Sequence, residues 1–138
     1  MLLVDSTVWV DYFNGVLTPE TDYLDMAVAA EPVLVGDIIL AEVLQGFRND
    51  RDFDRALAAL SRFPQTQMLN PALAIRSAQN YRYLRKQGIT IRKTIDCFIA
   101  TFAIAAGHEF LHSDRDFDPF ERMLGLRVIH PAHTVREG

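Results

Sequence analysis

The sequence has a single cysteine, Cys97, and no long hydrophobic run. One cysteine excludes an intramolecular disulfide, and no group of Cys and His residues has the spacing of a zinc site. No apolar run approaches the roughly 20 residues that span a membrane, and the first residues are too few and too acidic for a secretory signal. We therefore expect a cytoplasmic protein without membrane association, whose folded domain starts at Met1.

Several catalytic motifs are also missing. The sequence has no G-x-S-x-G elbow, no G-x-x-x-x-G-K-[ST] loop and no G-x-G-x-x-G turn. Its four histidines lie late in the chain, and the one pair that is four residues apart, His108 and His112, spans a predicted strand rather than lying on a helix. These absences argue against serine hydrolases, P-loop proteins and dinucleotide-binding enzymes.

What is present is enough for one globular domain. The chain has 138 residues, of which 49% are hydrophobic and 23% charged, so it can bury a core of its own. We expect one domain over residues 1–138. The net charge of −4 argues against binding nucleic acid over the whole surface, but it leaves room for a local basic patch.

Short apolar runs that favour buried strands alternate with longer stretches of helical spacing. The strand candidates are residues 2–4, 33–36, 67–69, 109–112 and 126–129. Strands that alternate with helices imply right-handed βαβ crossovers. The expected fold is α/β, with a mostly parallel central sheet flanked by helices on both faces.

Three helices have clear signals in the sequence. One starts after Asn70 as N-cap and ends before Gly88, and another follows Asp37. A third runs from about Ile95 to Ala106, with Thr94 as the expected N-cap and Gly107 as terminator.

Acidic residues follow the ends of the predicted strands. Asp5 follows the first strand, Asp37 the second and Asp114 the fourth, so all three should lie at the carboxyl edge of the sheet, where open α/β folds place their sites. Glu42 lies about one turn into the helix after the second strand, and Asp96 lies in the first turn of its helix. Several acids that converge without matching bases repel one another, and a divalent metal ion is the usual remedy.

Each acid also has a structural interpretation. Aspartate is a preferred N-cap, and this role alone explains the presence of Asp37. An acidic residue also stabilises the first turn of a helix, which would explain Asp96 taken alone. Glu42 is flanked by apolar residues in IILAEVLQ, and a buried carboxylate needs a cation or a hydrogen-bond donor.

Three aspartates alternate in the stretch EFLHSDRDFDPF. They do not form a calcium-binding EF-hand loop, because Pro119 and Gly125 stand where that loop needs Gly and Glu. Asp114 is expected to reach the edge of the sheet, and Asp116 is the second candidate. Asp118 beside Pro119 has the pattern of a helix start.

Positive charge is concentrated before Asp96. Residues 71–95 contain no Asp or Glu but six basic residues. One interpretation is a solvated helix face. The other is a basic lip beside an acidic, metal-binding pocket, which would suit the phosphodiester backbone of a nucleic acid. The candidate RNA-binding residues are Arg82, Arg85, Lys86, Arg92 and Lys93.

Four stretches carry a family resemblance. In order and spacing, LLVDSTVWVDYF, LAEVLQGF, TIDCFIATFAIAAG and FLHSDRDFDPF resemble the successive motifs of the PIN domain, specifically of the VapC-like toxins of bacterial and archaeal toxin–antitoxin pairs. The resemblance spans nearly the whole chain. Ser113 stands where relatives often have Thr, which keeps the hydroxyl.

The resemblance implies a function and a set of site residues. It implies an endoribonuclease that depends on Mg²⁺ or Mn²⁺, is usually a homodimer, and is kept inactive by a cognate antitoxin. The family's metal-binding and catalytic acids correspond to Asp5, Glu42, Asp96 and Asp114, with Asp116 as a supporting ligand. Carboxylate oxygens select such hard ions, which activate water for attack on phosphorus without a side-chain nucleophile.

Other readings of the sequence stay open. A Toprim-like phosphoryl-transfer domain would also use a Glu and a D-x-D at strand ends, but it does not explain Asp96. A receiver or phosphatase domain would need a Lys after a late strand, and the only two lysines are Lys86 and Lys93. A metal-free interaction module, in which the acids are only helix caps, belongs to a different class and is distinguished by metal binding.

Overall fold

The computed structural model describes residues 1–132, and within them the chain forms five strands and seven α-helices. The elements in chain order are β1 (Leu2–Val4), α1 (Ser6–Phe13), α2 (Pro19–Ala30), β2 (Val33–Gly36), α3 (Asp37–Gln45), α4 (Asp50–Leu60), β3 (Gln65–Thr66), α5 (Pro71–Lys86), α6 (Thr94–Ala106), β4 (Glu109–Leu111), α7 (Asp118–Leu124) and β5 (Arg127–Val128). A 3-10 turn, Arg115–Phe117, lies between β4 and α7.

All five strands are parallel, in the order β3-β2-β1-β4-β5. The chain moves outward from β1 through β2 to β3, then crosses back over the sheet to β4 and continues to β5. Right-handed crossovers therefore place α1–α4 on one face of the sheet and α5–α7 on the other. The predicted α/β fold with helices on both faces is confirmed. The direction of winding reverses between β1 and β4, and this switch point is where open α/β sheets form a binding crevice.

Apolar strands and capped helices explain why these elements form here. Every residue of β1 and β2 is buried, as expected of parallel strands covered on both faces. Asn70 caps α5 through its side-chain oxygen, which accepts a hydrogen bond of 2.9 Å from the Leu73 backbone N–H. Gly107 ends α6 in the left-handed conformation, with a φ of 71°, as its position in the sequence predicted.

Three local predictions were wrong. The third strand is Gln65–Thr66 rather than residues 67–69, because the apolar Met68 there is fully buried by packing its side chain against Gly36. The N-cap of α6 is Lys93 rather than Thr94, and it makes no side-chain capping bond. Asp37 is the first residue of α3 rather than its cap.

Asp37 instead joins two neighbouring segments. Its carboxylate accepts hydrogen bonds from the backbone N–H groups of Ile38, at 2.8 Å, and Met68, at 3.0 Å. Two strand predictions were also slightly too long, since β4 ends at Leu111 and β5 covers Arg127–Val128. The helix start predicted at Asp118 is confirmed.

Large aromatic side chains fill the core on both sides of the sheet. Trp9, Phe110, Phe117 and Phe120 are fully buried, and Trp9 stacks on Phe13 with 5.8 Å between ring centroids. This burial excludes Trp9 from contact with a nucleic acid base. No helix within residues 1–132 combines the length and the apolar character needed to cross a membrane.

Candidate metal centre

Three carboxylates meet at the carboxyl edge of the sheet, beside the switch point. Asp96 comes from the first turn of α6, and Asp114 and Asp116 come from the loop that follows β4. One carboxylate oxygen from each of the three lies within 4.8 Å of the other two. Segments that are far apart in sequence thus deliver three negative charges to one small volume.

Asp96 is the most deeply placed of the three. It is only 5% exposed, and its Oδ2 atom is buried without a hydrogen-bond partner within residues 1–132. Burial is the largest cause that raises the pKa of Asp96 from its ordinary value of 3.8 to about 6, and the charges of Asp114 and Asp5 contribute to the same rise. A buried carboxylate oxygen without a partner is costly unless a cation satisfies it.

Asp5 follows β1 and is held by the start of α1. Its Oδ2 atom accepts a hydrogen bond from the Thr7 hydroxyl at 2.7 Å and one from the Thr7 backbone N–H at 3.3 Å. Burial raises the pKa of Asp5 to about 6, although the bonds from Thr7 oppose the rise. The charge of Asp5 raises the pKa of Asp96, and the charge of Asp96 raises the pKa of Glu42. Asp5 therefore belongs to the same electrostatic cluster as Asp96.

Glu42 approaches the same cluster from α3. Its Oε1 atom accepts a hydrogen bond of 3.2 Å from the Ser6 hydroxyl. Burial is the main cause that raises the pKa of Glu42, and the charges of Asp96 and Asp114 add to it while Ser6 and Lys93 oppose it. The five acids predicted for the site therefore interact, with Asp96, Asp114 and Asp116 at ligand distance and Asp5 and Glu42 beside them.

Thr7 ties the first motif to the last. Besides donating to Asp5, its hydroxyl oxygen accepts a hydrogen bond of 3.2 Å from the Ser113 backbone N–H. The residue after Ser113 is Asp114, so this hydroxyl fixes two acid-bearing segments against each other. Ser6 and Thr7 were not predicted as site residues, although two hydroxyl residues directly after Asp5 at a strand end were a usable signal.

His112 supports the Asp114 loop from beneath. Its Nδ1 atom accepts a hydrogen bond of 3.0 Å from the Asp114 backbone N–H, and its ring lies 5.1 Å from that of Phe117. The Asp114 carboxylate in turn accepts from the Asp116 backbone N–H at 2.9 Å. Spacing alone gave no indication of His112, because its role depends on the turn that follows β4.

The basic residues divide into two groups. Arg92 forms an ion pair with Asp116 at 3.0 Å, and the positive charge of Lys93 opposes the raised pKa values of Glu42 and Asp96. Both residues thus lie at the acid cluster. Arg82, Arg85 and Lys86 are exposed along α5, which packs against α6.

The donor set fits a hard divalent cation. Every side chain in the cluster offers carboxylate oxygen, which is the ligand that Mg²⁺ and Mn²⁺ prefer, and no sulfur or imidazole group lies among the three at ligand distance. The Oδ2 atom of Asp96, which has no hydrogen-bond partner in the part of the chain that the structure describes, and the raised pKa values of Asp5 and Asp96 indicate a site that lacks compensating charge. Asp96, Asp114 and Asp116 would hold the ion.

A doubly wound parallel sheet places the chain among the open α/β proteins that bind ligands in a crevice at the switch point, and in this chain converging carboxylates lie at that crevice. Residues 2–122 match the PIN domain family. Ribonuclease VapC11 of Mycobacterium tuberculosis is 30% identical over 132 residues, covering 93% of this chain and 97% of the relative. VapC ribonuclease Mb1587 of Mycobacterium bovis has the same identity and coverage. The chain belongs to the PIN domain family, as the resemblance of its motifs predicted.

Solved structures share the fold. The VapBC2 complex of Rickettsia felis, bound to a DNA fragment from its promoter, contains a chain that superimposes with a TM-score of 0.72 at 20% identity, covering 93% of this chain and 96% of that one. FitAcB of Neisseria gonorrhoeae gives a TM-score of 0.72 at 21% identity, with coverages of 97% and 100%. VapC20 of M. tuberculosis, described as a toxin that cleaves the sarcin-ricin loop, gives 0.62 at 14%, with coverages of 86% and 93%.

Proposed function

We propose that this protein is a metal-dependent endoribonuclease that acts as the toxin of a toxin–antitoxin pair. The observation that carries the proposal is the meeting of Asp96, Asp114 and Asp116 at the switch point of a PIN fold, with Asp5 and Glu42 beside them. Relatives that are 30% identical over nearly their full length are named ribonucleases, which supports RNA as the substrate.

The residues at the site divide the work. Mg²⁺ or Mn²⁺, when bound, would activate a water molecule and stabilise the negative charge that develops on the leaving oxygen. Asp96, Asp114 and Asp116 provide hard oxygen ligands, and Asp5 and Glu42 add negative charge that strengthens cation binding. Ser6 and Thr7 hold the Glu42 and Asp5 carboxylates in place through hydrogen bonds, so that these side chains need no reorganisation during the reaction.

Positive charge around the acids provides a place for the RNA backbone. Lys93 and Arg92 lie at the cluster itself, and Arg82, Arg85 and Lys86 continue the positive charge along α5. Arg92 is paired with Asp116, so a cation bound there would release its guanidinium to meet a phosphate. An acidic centre with a basic approach suits a polyanion whose scissile phosphate must come close to carboxylates.

The proposed partners are an antitoxin and a second copy of the chain. The structural relatives include toxin–antitoxin complexes, which supports an antitoxin that silences this protein in the cytoplasm. Exposed apolar side chains on α5 and at the start of α6, Ile75 at 62% and Ile95 at 42%, offer a surface for a homodimer. The whole of residues 1–138 is proposed to form one domain.

Incubation with RNA tests the proposal directly. The purified, antitoxin-free protein and its Asp96→Asn variant are incubated with total cellular RNA, with Mn²⁺, with Mg²⁺ or with a chelator, and the new RNA ends are mapped. We expect discrete cuts by the parent with either metal, and none with the chelator or by the variant. Asp54→Asn, an equivalent change at an exposed position of α4, serves as the matched control and should cut like the parent. If the parent makes no cuts with either metal, the ribonuclease proposal is wrong and the alternative of a metal-free interaction module is favoured.

A further inference from the structure

An open cleft of about 500 Å³ adjoins the candidate metal centre on the side of β5. It begins at Ser113 and Asp114 and extends to Asp11 of α1 and to the start of α2. Its volume falls within the roughly 300–1,000 Å³ of sites that bind small molecules. Any group that occupies the cleft therefore lies beside whatever is bound at Asp114.

Part of the cleft lining is apolar. Val128 and Ile129 contribute aliphatic side chains at the end of β5, and Pro19 and Pro131 contribute pyrrolidine rings. His112, whose ring is fixed by Phe117 and by the Asp114 backbone, lines the same space. Apolar and aromatic surfaces of this kind can stack against the face of a nucleobase, because that face is an uncharged π-system and its burial removes no charge from water.

The polar lining carries acceptors. The carboxylates of Asp11 and Glu20 have no ion pair or hydrogen bond within residues 1–132, and both side chains are only partly exposed. His130 is already paired with Glu121 at 2.8 Å. The carboxylates disfavour a phosphate inside the cleft and favour an uncharged group that donates hydrogen bonds. Arg115, which is exposed at the cleft and has no ion pair in the described part of the chain, can meet a phosphate outside it.

We propose that this cleft binds one base of the RNA next to the scissile bond and selects a base with an exocyclic amino group, guanine being the best match. The inference rests on the proposed ribonuclease function and specifies its substrate. Guanine presents an N1–H and an amino group side by side, so it can donate twice to one carboxylate, as bases do when their Watson–Crick edge is read. Uracil presents one N–H between two carbonyl oxygens, which a carboxylate repels.

Nucleotide titrations test the cleft without requiring cleavage. GMP, IMP and UMP are titrated into the metal-free full-length protein, and the methyl signals of Val128 and Ile129 are followed by NMR. IMP differs from GMP only in lacking the amino group, so it is the matched ligand. Since a hydrogen bond to a charged acceptor is worth roughly tenfold or more in affinity, we expect GMP to bind about tenfold more tightly than IMP, with UMP weaker still.

Isosteric variants identify the acceptors. Asp11→Asn and Glu20→Gln, made singly and together, keep the shape of the cleft and remove the negative charge of the acceptors. The double variant should bind GMP and IMP with affinities within about twofold of each other. The control variant Asp54→Asn should keep the parent's preference for GMP. Thermal melts confirm that each variant is folded. Equal affinities of the parent for GMP, IMP and UMP would overturn the proposal, as would a preference that survives in the double variant.

RNA cleavage distinguishes failure of the proposed base site from failure of the proposed ribonuclease function. If the parent cuts RNA, the mapped ends should show an enriched base at one position flanking the cut, and the cuts made by the double variant should lack that enrichment. An unchanged enrichment overturns the base site and leaves the ribonuclease standing. If the parent cuts no RNA but distinguishes GMP from IMP, the ribonuclease fails and the cleft remains a nucleotide site.

Discussion

Replacing Asp96 with asparagine should stabilise the metal-free protein. The change keeps the shape of the side chain but removes a buried negative charge that faces Asp114, Asp5 and Asp116. It sacrifices no hydrogen bond at Oδ2, because that atom has no partner within residues 1–132. The parent's carboxylate can therefore lower the free energy of the native state only when a cation is bound.

The raised pKa gives the magnitude. Holding Asp96 at a pKa of about 6 instead of 3.8 destabilises its ionised form by about 3 kcal/mol, at roughly 1.4 kcal/mol for each tenfold change in proton affinity. A group whose pKa is raised on folding contributes its full stability below its unfolded pKa and loses it as the pH rises through the folded value. The free energy of unfolding of the Asn variant should therefore exceed that of the parent by at most about 3 kcal/mol at pH 7.5. At pH 5, where the parent's Asp96 is mostly protonated, the difference should be about half as large.

Urea unfolding with a chelator, at both pH values, measures the advantage. The parent should then gain about 3 kcal/mol from Mn²⁺ at about 100 times its dissociation constant, and the variant should gain much less. Asp54→Asn should behave like the parent in every condition. The reasoning is refuted if the Asn variant is less stable than the parent at pH 7.5 without metal, or if its advantage does not shrink at pH 5.

Three further predictions concern other parts of the molecule. Thr7→Val removes the hydroxyl shared by Asp5 and Ser113 and should lower the free energy of unfolding by about 1–2 kcal/mol in urea melts, while Thr7→Ser should retain most of it. Gly36→Ala should cost about 1–3 kcal/mol in the same assay, because the added methyl group would collide with the Met68 side chain; wild-type stability would show that Met68 moves freely. Replacing Arg82, Arg85 and Lys86 with Ala should reduce the log–log salt slope of RNA binding by about 2 and leave Mn²⁺ binding intact, whereas Arg51→Ala should change neither; an unchanged slope would make α5 a solvated face.

The order of strands and helices was readable from the sequence because buried parallel strands are short apolar runs. Residues 2–4 and 33–36 match β1 and β2 without error. The prediction failed at residues 67–69, where an apolar residue was taken as evidence of a strand. Met68 is buried for another reason, its contact with Gly36, and hydrophobicity does not distinguish a residue in a strand from one packed beside it.

The acids of the site were predictable, but their partners were not. Asp5 and Asp114 follow strands that turned out to flank the switch point, so the sheet itself brings them together. The pairing of Arg92 with Asp116 and the bridge made by Thr7 depend on side-chain directions within loops, which periodicity does not encode. Arg92 was predicted as a candidate RNA-binding residue, and its neighbour in the structure is an acid of the candidate metal centre.

The dependence of RNA cleavage on Mn²⁺ in the Asp114→Asn variant tests the central claim most directly. Single-turnover rates on one defined RNA are measured across a Mn²⁺ titration for the parent, Asp114→Asn and Asp54→Asn. The account predicts that the parent and Asp54→Asn share one saturating curve. It predicts that Asp114→Asn is slower by at least about 100-fold at every Mn²⁺ concentration, because a neutral amide replaces a negatively charged carboxylate at the centre. Cleavage by Asp114→Asn at the parent's rate, or cleavage by the parent that persists in the chelator, would contradict it.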